Sequence, residues 1–163
     1  MAVASDATEN STTDGCRVRR ARLEDLQRVV ALDSRVTSIE KADYWGDVFA
    51  RYGERRLAER FFLVAEPADE SDDQLLGYII GEVRAWEFGS EPCGWVFGFS
   101  VDPDTREQGI GEQLFSAISG EFQATGIRIM RTMVPRHNKL HMAFFRSEGM
   151  MAGPYIQLEK ELD

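Results

Sequence analysis

The stretch VDPDTREQGIGEQL, residues 101–114, joins an apolar strand to an amphipathic helix through a turn that contains two glycines. Residues 95–101 are rich in aromatic and β-branched side chains, which is typical of a buried strand. Pro103 then ends the strand, because proline cannot donate to a sheet ladder. Further on, apolar residues recur at helical spacing from residue 110 to residue 122, so a helix is predicted to begin near Gln108.

The turn predicts a binding site for an anion. Amide groups in the first turn of a helix carry partial positive charge, and Gly109 and Gly111 have no Cβ to keep a ligand away from the backbone. The spacing excludes a P-loop, which needs a Gly-Lys-Ser/Thr ending, and a dinucleotide fold, which needs a third glycine where Leu114 stands. The alternative is a tight strand-to-helix turn that binds nothing.

Arg106-x-x-Gly109-x-Gly111 directly after a strand resembles the pyrophosphate-binding motif of the GCN5-related N-acetyltransferases (GNAT), which transfer acetyl groups from acetyl-CoA to amines. The chain also has the family's apolar strand ending in Val-x-Pro. A second shared segment is residues 138–150, in which an asparagine opens a last helix that ends in glycine. The resemblance covers residues 17–162.

The resemblance implies an α/β fold of the α+β kind, with a mixed, mostly antiparallel central sheet, helices on both faces and a splayed strand pair that holds acetyl-CoA. Residues 1–15 are expected to be a disordered leader, because they have little apolar surface to bury. Residues 16–163 are expected to form a single acetyltransferase domain. The patterns predict strands at 17–21, 61–65, 75–86, 95–101, 127–134 and 155–162, with helices before residue 34, near 45–52, after 108 and at 138–149.

The resemblance also implies where acetyl-CoA would bind. The pantetheine would lie along the strand before the turn, the pyrophosphate against the backbone amides of the turn, and the thioester beside the last helix. Glu107 and Glu112 are unfavourable charges for an anion site, but their amides can donate while the carboxylates turn to water. The predicted cofactor contacts are Phe99, Ser100, Val101, Arg106, Glu107, Gln108, Gly109, Ile110, Gly111, Glu112, Asn138 and Phe145.

The positions that carry protons in many members of the family are apolar here. Met133 stands at the base position and Phe145 at the acid position, and neither side chain can carry a proton. Three explanations stay open: the base and acid come from elsewhere, the amine arrives deprotonated and water protonates the thiolate, or the protein binds acyl-CoA without transfer. Glu82 is the candidate catalytic residue, against the alternative of a solvated edge carboxylate. Other candidates are His137, His141, Tyr44 and Tyr155.

Residues between the first two helices form one wall of the acceptor pocket in the family. Arg35, Thr37, Tyr44 and Trp45 are therefore candidate acceptor contacts, against the alternative that they are core aromatics and solvated polar groups. His137 and His141 lie four apart, as some metal ligands on helices do, but no third ligand accompanies them. The sequence therefore predicts no metal.

Composition limits the function. The 163 residues carry a net charge of −9, which argues against nucleic-acid binding and suits a cationic substrate. No stretch is long and apolar enough to cross a membrane, and the first residues lack the pattern of a signal peptide, so a cytoplasmic location is expected. The sequence predicts an acetyl-CoA-dependent N-acetyltransferase acting on a primary amine of a small molecule or protein. It leaves open whether the protein forms a homodimer. The alternative is a non-catalytic acyl-CoA sensor or interaction module on the same fold.

Overall fold

The computed structural model describes residues 11–13, 15–69 and 73–162. The described chain divides into two compact units, of which the first ends at Thr132 and the second begins at Met133. The single domain predicted for residues 16–163 therefore stays a prediction. None of the described helices is long and apolar enough to cross a membrane.

Six strands form one sheet in the first unit, in the order β1 to β6. The first five pair antiparallel with their neighbours, whereas β6 runs parallel to β5. This confirms the mixed, mostly antiparallel sheet. The strands are β1 (Ser11–Thr13), β2 (Cys16–Arg20), β3 (Arg60–Pro67), β4 (Gly77–Arg84), β5 (Cys93–Val101) and β6 (Met130–Thr132).

Three helices of the first unit cover both faces of the sheet, as predicted. On one face α3 (Ile110–Ala124) buries its apolar stripe against β2 to β5, through residues such as Leu114 and Ile118. On the other face α1 (Leu26–Thr37) and α2 (Ala42–Val48) enclose a second core. Helix α3 approaches β5 closely at Gly94, which has no Cβ. A Cβ there would lie 2.6 Å from the ring of Phe122.

Two sequence predictions are wrong at the ends of the chain. The disordered leader does not extend to residue 15, because β1 (Ser11–Thr13) pairs with β2 and forms the edge of the sheet. In this pairing Thr13 lies opposite Cys16. Residues 1–10 and 14 lie outside the described residues. Residues 155–162 are not a closing strand but lie exposed without regular structure, because an alternating pattern does not form a strand unless another strand pairs with it.

The strand predicted at 127–134 is limited to Met130–Thr132. Ile127 instead follows the end of α3, where its N–H donates to the Phe122 carbonyl at 3.1 Å and its side chain enters the core. The second unit contains α4 (Lys139–Ser147), which is the predicted last helix.

Candidate functional site

The turn between β5 and α3 has an unusual backbone. Glu107 and Gly109 both have a φ of 74°, a left-handed conformation that costs a residue with a side chain about 1–2 kcal/mol. Such strain at a non-glycine residue points to a function, since the surrounding structure must maintain it. A Cβ built at Gly109 would meet no atom within 4 Å, so the backbone here is open to a ligand.

The first turn of α3 supplies hydrogen-bond donors. Gly109 is the N-cap, and the N–H of Gln113 makes the first bond of the helix, to the Gly109 carbonyl at 3.1 Å. The N–H groups of Ile110, Gly111 and Glu112 therefore precede the helix ladder and have no acceptor within it. This is the arrangement of an anion site at a helix N-terminus.

The polar side chains of the turn are exposed, namely those of Arg106, Glu107, Gln108 and Glu112. Any ligand held here would be held mainly by the backbone. Gly109 is the open position of the turn, whereas Gly111 is buried in the first turn of the helix.

An ion pair that sequence reasoning did not find anchors the turn. The two terminal nitrogens of Arg35 donate to the two carboxylate oxygens of Asp102, both at 2.8 Å. Asp102 is 3% exposed, and its Oδ1 also accepts from the Asp104 N–H at 2.9 Å. Arg35 is one of the candidate acceptor contacts, and in the structure it ties the end of α1 to the turn. No sequence pattern pairs residues 67 positions apart.

The strand that leads to the turn separates from its neighbour. Strand β5 pairs with β6 only from Gly94 to Val96, where the Thr132 hydroxyl donates to the Val96 carbonyl at 2.8 Å. The strand continues to Val101, with β4 on its other side. Among the described residues, the edge of β5 beyond Val96 therefore has no paired strand, as the predicted splayed pair requires.

A bulge lies where the two strands separate. Ile80 of β4 is opposite Gly98, and the next residue, Gly81, is opposite Val96, so Phe97 is the extra residue of β5. A bulge bends its strand and re-aims side chains, and it is common beside active sites.

The predicted contacts on β5 face opposite sides of the sheet. Phe99 and Val101 pack on the α3 side, whereas Ser100 is buried towards Tyr78 on the other. Burial raises the pKa of Tyr78, and the nearby Asp33 carboxylate raises it further, so this phenol stays protonated. Ser100 is thus part of a buried polar group, and only backbone atoms of the strand are suited to bind along its edge.

Two other candidates near α2 are structural. Trp45 is 2% exposed, and its indole N–H donates to Asp33 Oδ2 at 2.9 Å. The Thr37 hydroxyl donates to the Asp33 carbonyl at 2.8 Å. Tyr44 remains exposed, with its ring edge-on to Trp45. The alternative stated for Trp45, a core aromatic, is therefore the correct one.

Glu82 lies on the α1/α2 side of the sheet beside the bulge. Its Oε1 accepts from Arg84 Nε at 3.1 Å, and its Oε2 lies 3.8 Å from Arg60 Nε. The side chain is 17% exposed, so it is not a solvated edge carboxylate. Burial raises the pKa of Tyr52, and the charge of Glu82 adds to that effect. The catalytic role of Glu82 stays a prediction.

In the second unit, Asn138 is a helix cap. Its Oδ1 accepts from the His141 N–H at 3.0 Å, as predicted for the start of α4. Phe145 is 5% exposed and Met133 is 61% exposed. Whether Asn138 and Phe145 contact acetyl-CoA stays a prediction. Among the described residues, no group of three His, Cys, Asp or Glu side chains could hold a metal ion.

The chain is similar to known acetyltransferases. A family model described as the acetyltransferase (GNAT) family matches residues 26–150. No curated protein matches the chain by sequence.

Similar solved structures have the same fold. One is the aminoglycoside N-acetyltransferase AAC(6')-Iy in complex with CoA, at 16% identity and a TM-score of 0.77, covering 93% of this chain and 97% of that one. An aminoglycoside 6'-N-acetyltransferase from Acinetobacter baumannii gives 14% identity and a TM-score of 0.74, with 91% and 100% covered. A possible acetyltransferase from Clostridium difficile gives 22% identity and a TM-score of 0.71, with 92% and 99% covered.

Proposed function

The chain belongs to the acetyltransferase (GNAT) family, and we propose that it is an acetyl-CoA-dependent N-acetyltransferase that acts on a primary amine. The observation that carries the proposal is that an unpaired strand edge continues into an open helix N-terminus. The half of β5 from Phe97 to Val101, which β6 does not pair with, leads directly into the open first turn of α3. CoA likewise has an extended arm that ends in a pyrophosphate.

The proposed binding mode uses backbone groups. The pantetheine takes the place of an added strand beside β5, held by main-chain hydrogen bonds. The pyrophosphate accepts hydrogen bonds from the first-turn amides of α3, next to the open position at Gly109. The CoA complex of AAC(6')-Iy supports this assignment, since that protein shares the fold.

The proposed orientation puts the reacting end of acetyl-CoA at the bulge. Phe97 and Val101 are four residues apart, which is about 13 Å along a strand. The pyrophosphate end lies beyond Val101, so the thioester lies towards Phe97. Glu82 is the carboxylate on this part of the sheet and therefore stays the candidate base for the amine.

The alternative is a protein that binds acyl-CoA without transfer. Met133 and Phe145 favour it, since both usual proton-carrying positions are apolar. Release of CoA from acetyl-CoA in the presence of primary amines distinguishes the two functions. An enzyme releases CoA only when an amine is present, whereas a sensor binds acetyl-CoA and releases none.

Calorimetry with CoA tests the binding mode. In Gly111→Glu a side chain and a negative charge would occupy the place of the pyrophosphate. The loss of two charge-assisted bonds, at about 1.5–3 kcal/mol each, should weaken CoA binding by about 100-fold or more. Gly120→Glu is the matched control, because Gly120 is exposed in the same helix and its Cβ would meet no atom within 4 Å. Equal CoA affinity in both variants would contradict the assignment.

A further inference from the structure

We propose that the amine acceptor also carries an oxyanion, a carboxylate or a phosphate, and that Arg60 and Arg84 bind this group. The inference rests on the proposed function, because it concerns the second substrate of the same reaction. It names a substrate class that differs from aminoglycosides, which are polycations.

The two arginines share one carboxylate. Arg84 and Arg60 each contact Glu82 through Nε, at 3.1 and 3.8 Å. A guanidinium has five N–H donors, so most of the donors remain. Arg60 uses one terminal nitrogen on the Arg51 carbonyl, at 2.8 Å. Within the part of the chain that the structure describes, the terminal nitrogens of Arg84 donate no hydrogen bond.

Positive charge is therefore in excess around Glu82. The group of Arg60, Arg84 and Glu82 carries one net positive charge, and its side chains are only 20%, 32% and 17% exposed. Glu87 lies 4.0 Å from Arg84 but is 58% exposed, so water screens its charge. This local surplus has the opposite sign to the net charge of the chain. A polycation would meet repulsion here, whereas an oxyanion would find paired donors.

The arginines lie where an acceptor would have to bind. Glu82 is directly opposite Trp95, two residues from the bulge, and the guanidinium of Arg84 lies 4.7 Å from the Trp95 ring. Tyr52 packs on Phe97 with ring centroids 4.9 Å apart, and the guanidinium of Arg60 lies 5.0 Å from the Tyr52 ring. Tyr52 and Arg60 thus lie beside the residue at which the thioester is expected, and Arg84 lies further along β4, opposite Cys93.

The opposite face of the sheet leaves no room for this approach. There α3 packs on β4 and β5, with Phe122 against Gly94 and Gly81. The acceptor therefore enters from the α1/α2 side. An oxyanion held by Arg60 and Arg84 would fix one end of the acceptor and leave its amine beside Phe97.

Paired amines that differ only in charge test the inference. Acetyl transfer would be measured on L-phenylalanine and L-phenylalaninamide, on O-phosphoethanolamine and ethanolamine, and on kanamycin. Within at least one pair the anionic member should have a kcat/KM about tenfold higher or more, since the neutral member cannot make the charge-assisted hydrogen bonds. The pair that shows the preference tells a carboxylate from a phosphate.

Variants connect the preference to the arginines. Arg84→Gln and Arg60→Gln should each remove most of it while the affinity for CoA stays unchanged, which shows that the fold is intact. Arg22→Gln is the control, because that arginine is exposed and pairs with the exposed Glu24. A higher kcat/KM for the neutral amines or for kanamycin, unchanged in Arg84→Gln, would overturn the oxyanion site and leave the acetyltransferase assignment standing.

A binding measurement with product analogues tests the oxyanion site even if none of the amines is acetylated. N-acetyl-L-phenylalanine and its amide would be titrated into the CoA-saturated protein. Tighter binding of the acid, lost in Arg84→Gln, supports the oxyanion site even if no amine is acetylated. Equal binding of acid and amide overturns it. Failure to bind CoA at all would instead refute the proposed function, and the inference with it.

Discussion

At the scale of single residues, Arg35 determines how the turn before α3 is held. Its guanidinium binds both oxygens of the buried Asp102, whose main-chain N–H donates to Leu76 at 2.8 Å and whose carbonyl accepts from Thr105. Arg35→Met would leave this carboxylate buried without its partner. Breaking a buried pair costs about 3–5 kcal/mol, and because Arg35 is 38% exposed we expect about 1–3 kcal/mol.

Urea denaturation would measure the loss of stability, and calorimetry would measure CoA binding. We expect CoA binding to weaken about tenfold, because a turn that is no longer held presents its amides less well. Arg128→Met is the control, since Arg128 is exposed. If Arg35→Met lowered turnover with one amine but changed neither stability nor CoA affinity, Arg35 would be an acceptor contact after all.

Individual residues show what sequence alone could not supply. The motif around Gly109 predicted an open turn, because local conformation follows from local residue types. The pairing of Arg35 with Asp102 and the contact of Arg60 with Glu82 do not follow from local pattern, because the partners lie far apart in the chain. Such partners become visible only when the register of the strands is known.

At the scale of elements, the bulge at Phe97 marks where β5 leaves β6. Deleting Phe97 would bring Val96 and Gly98 together opposite Gly81 and Ile80, giving a regular ladder with every side chain still on its face. The fold should therefore persist, but the strand would lose the bend that the bulge provides. We expect CoA binding to weaken about tenfold or more, since the strand edge would no longer be aligned for it.

Phe97→Ala serves as the matched variant, because it removes the ring and keeps the extra residue. It should retain CoA affinity while losing the contact with Tyr52. Calorimetry and thermal denaturation of both variants would separate the two effects. A deletion variant that bound CoA as tightly as the wild type would show that the bulge has no part in the site.

Most elements followed from local pattern, and the exceptions have a common cause. The continuous apolar run of β3 and the spacing in α3 predicted these elements because their residues bury a face within the element itself. The strand expected at 155–162 and the leader expected to be disordered up to residue 15 were wrong, because a strand depends on pairing with a distant segment. Ser11–Thr13 have little apolar surface, yet β2 provides that pairing.

At the scale of the whole molecule, a buried group of charges joins β2, β3 and α1. Glu66 accepts hydrogen bonds from Arg17, Arg19 and Arg28, and Asp25 accepts from Arg19 at 2.7 and 2.9 Å. Asp25 is fully buried, and Glu66 is 6% exposed. These ion pairs hold the first helix to the sheet, and they make stability depend on pH.

Burial alone would raise the pKa of Glu66, but the hydrogen bonds from Arg19 and Arg17 outweigh it and lower the pKa from 4.5 to about 2. A carboxyl whose pKa is lowered by folding stabilises the protein above its unfolded pKa, and this contribution is lost as pH falls through the folded pKa. We therefore expect Glu66→Gln to lower the free energy of unfolding by about 3 kcal/mol at pH 7, and the difference from the wild type to shrink between pH 4.5 and about 2. Urea denaturation across this range measures it, with the exposed Glu24→Gln as control. A difference that stayed constant down to pH 2 would show that Glu66 acts through packing rather than charge.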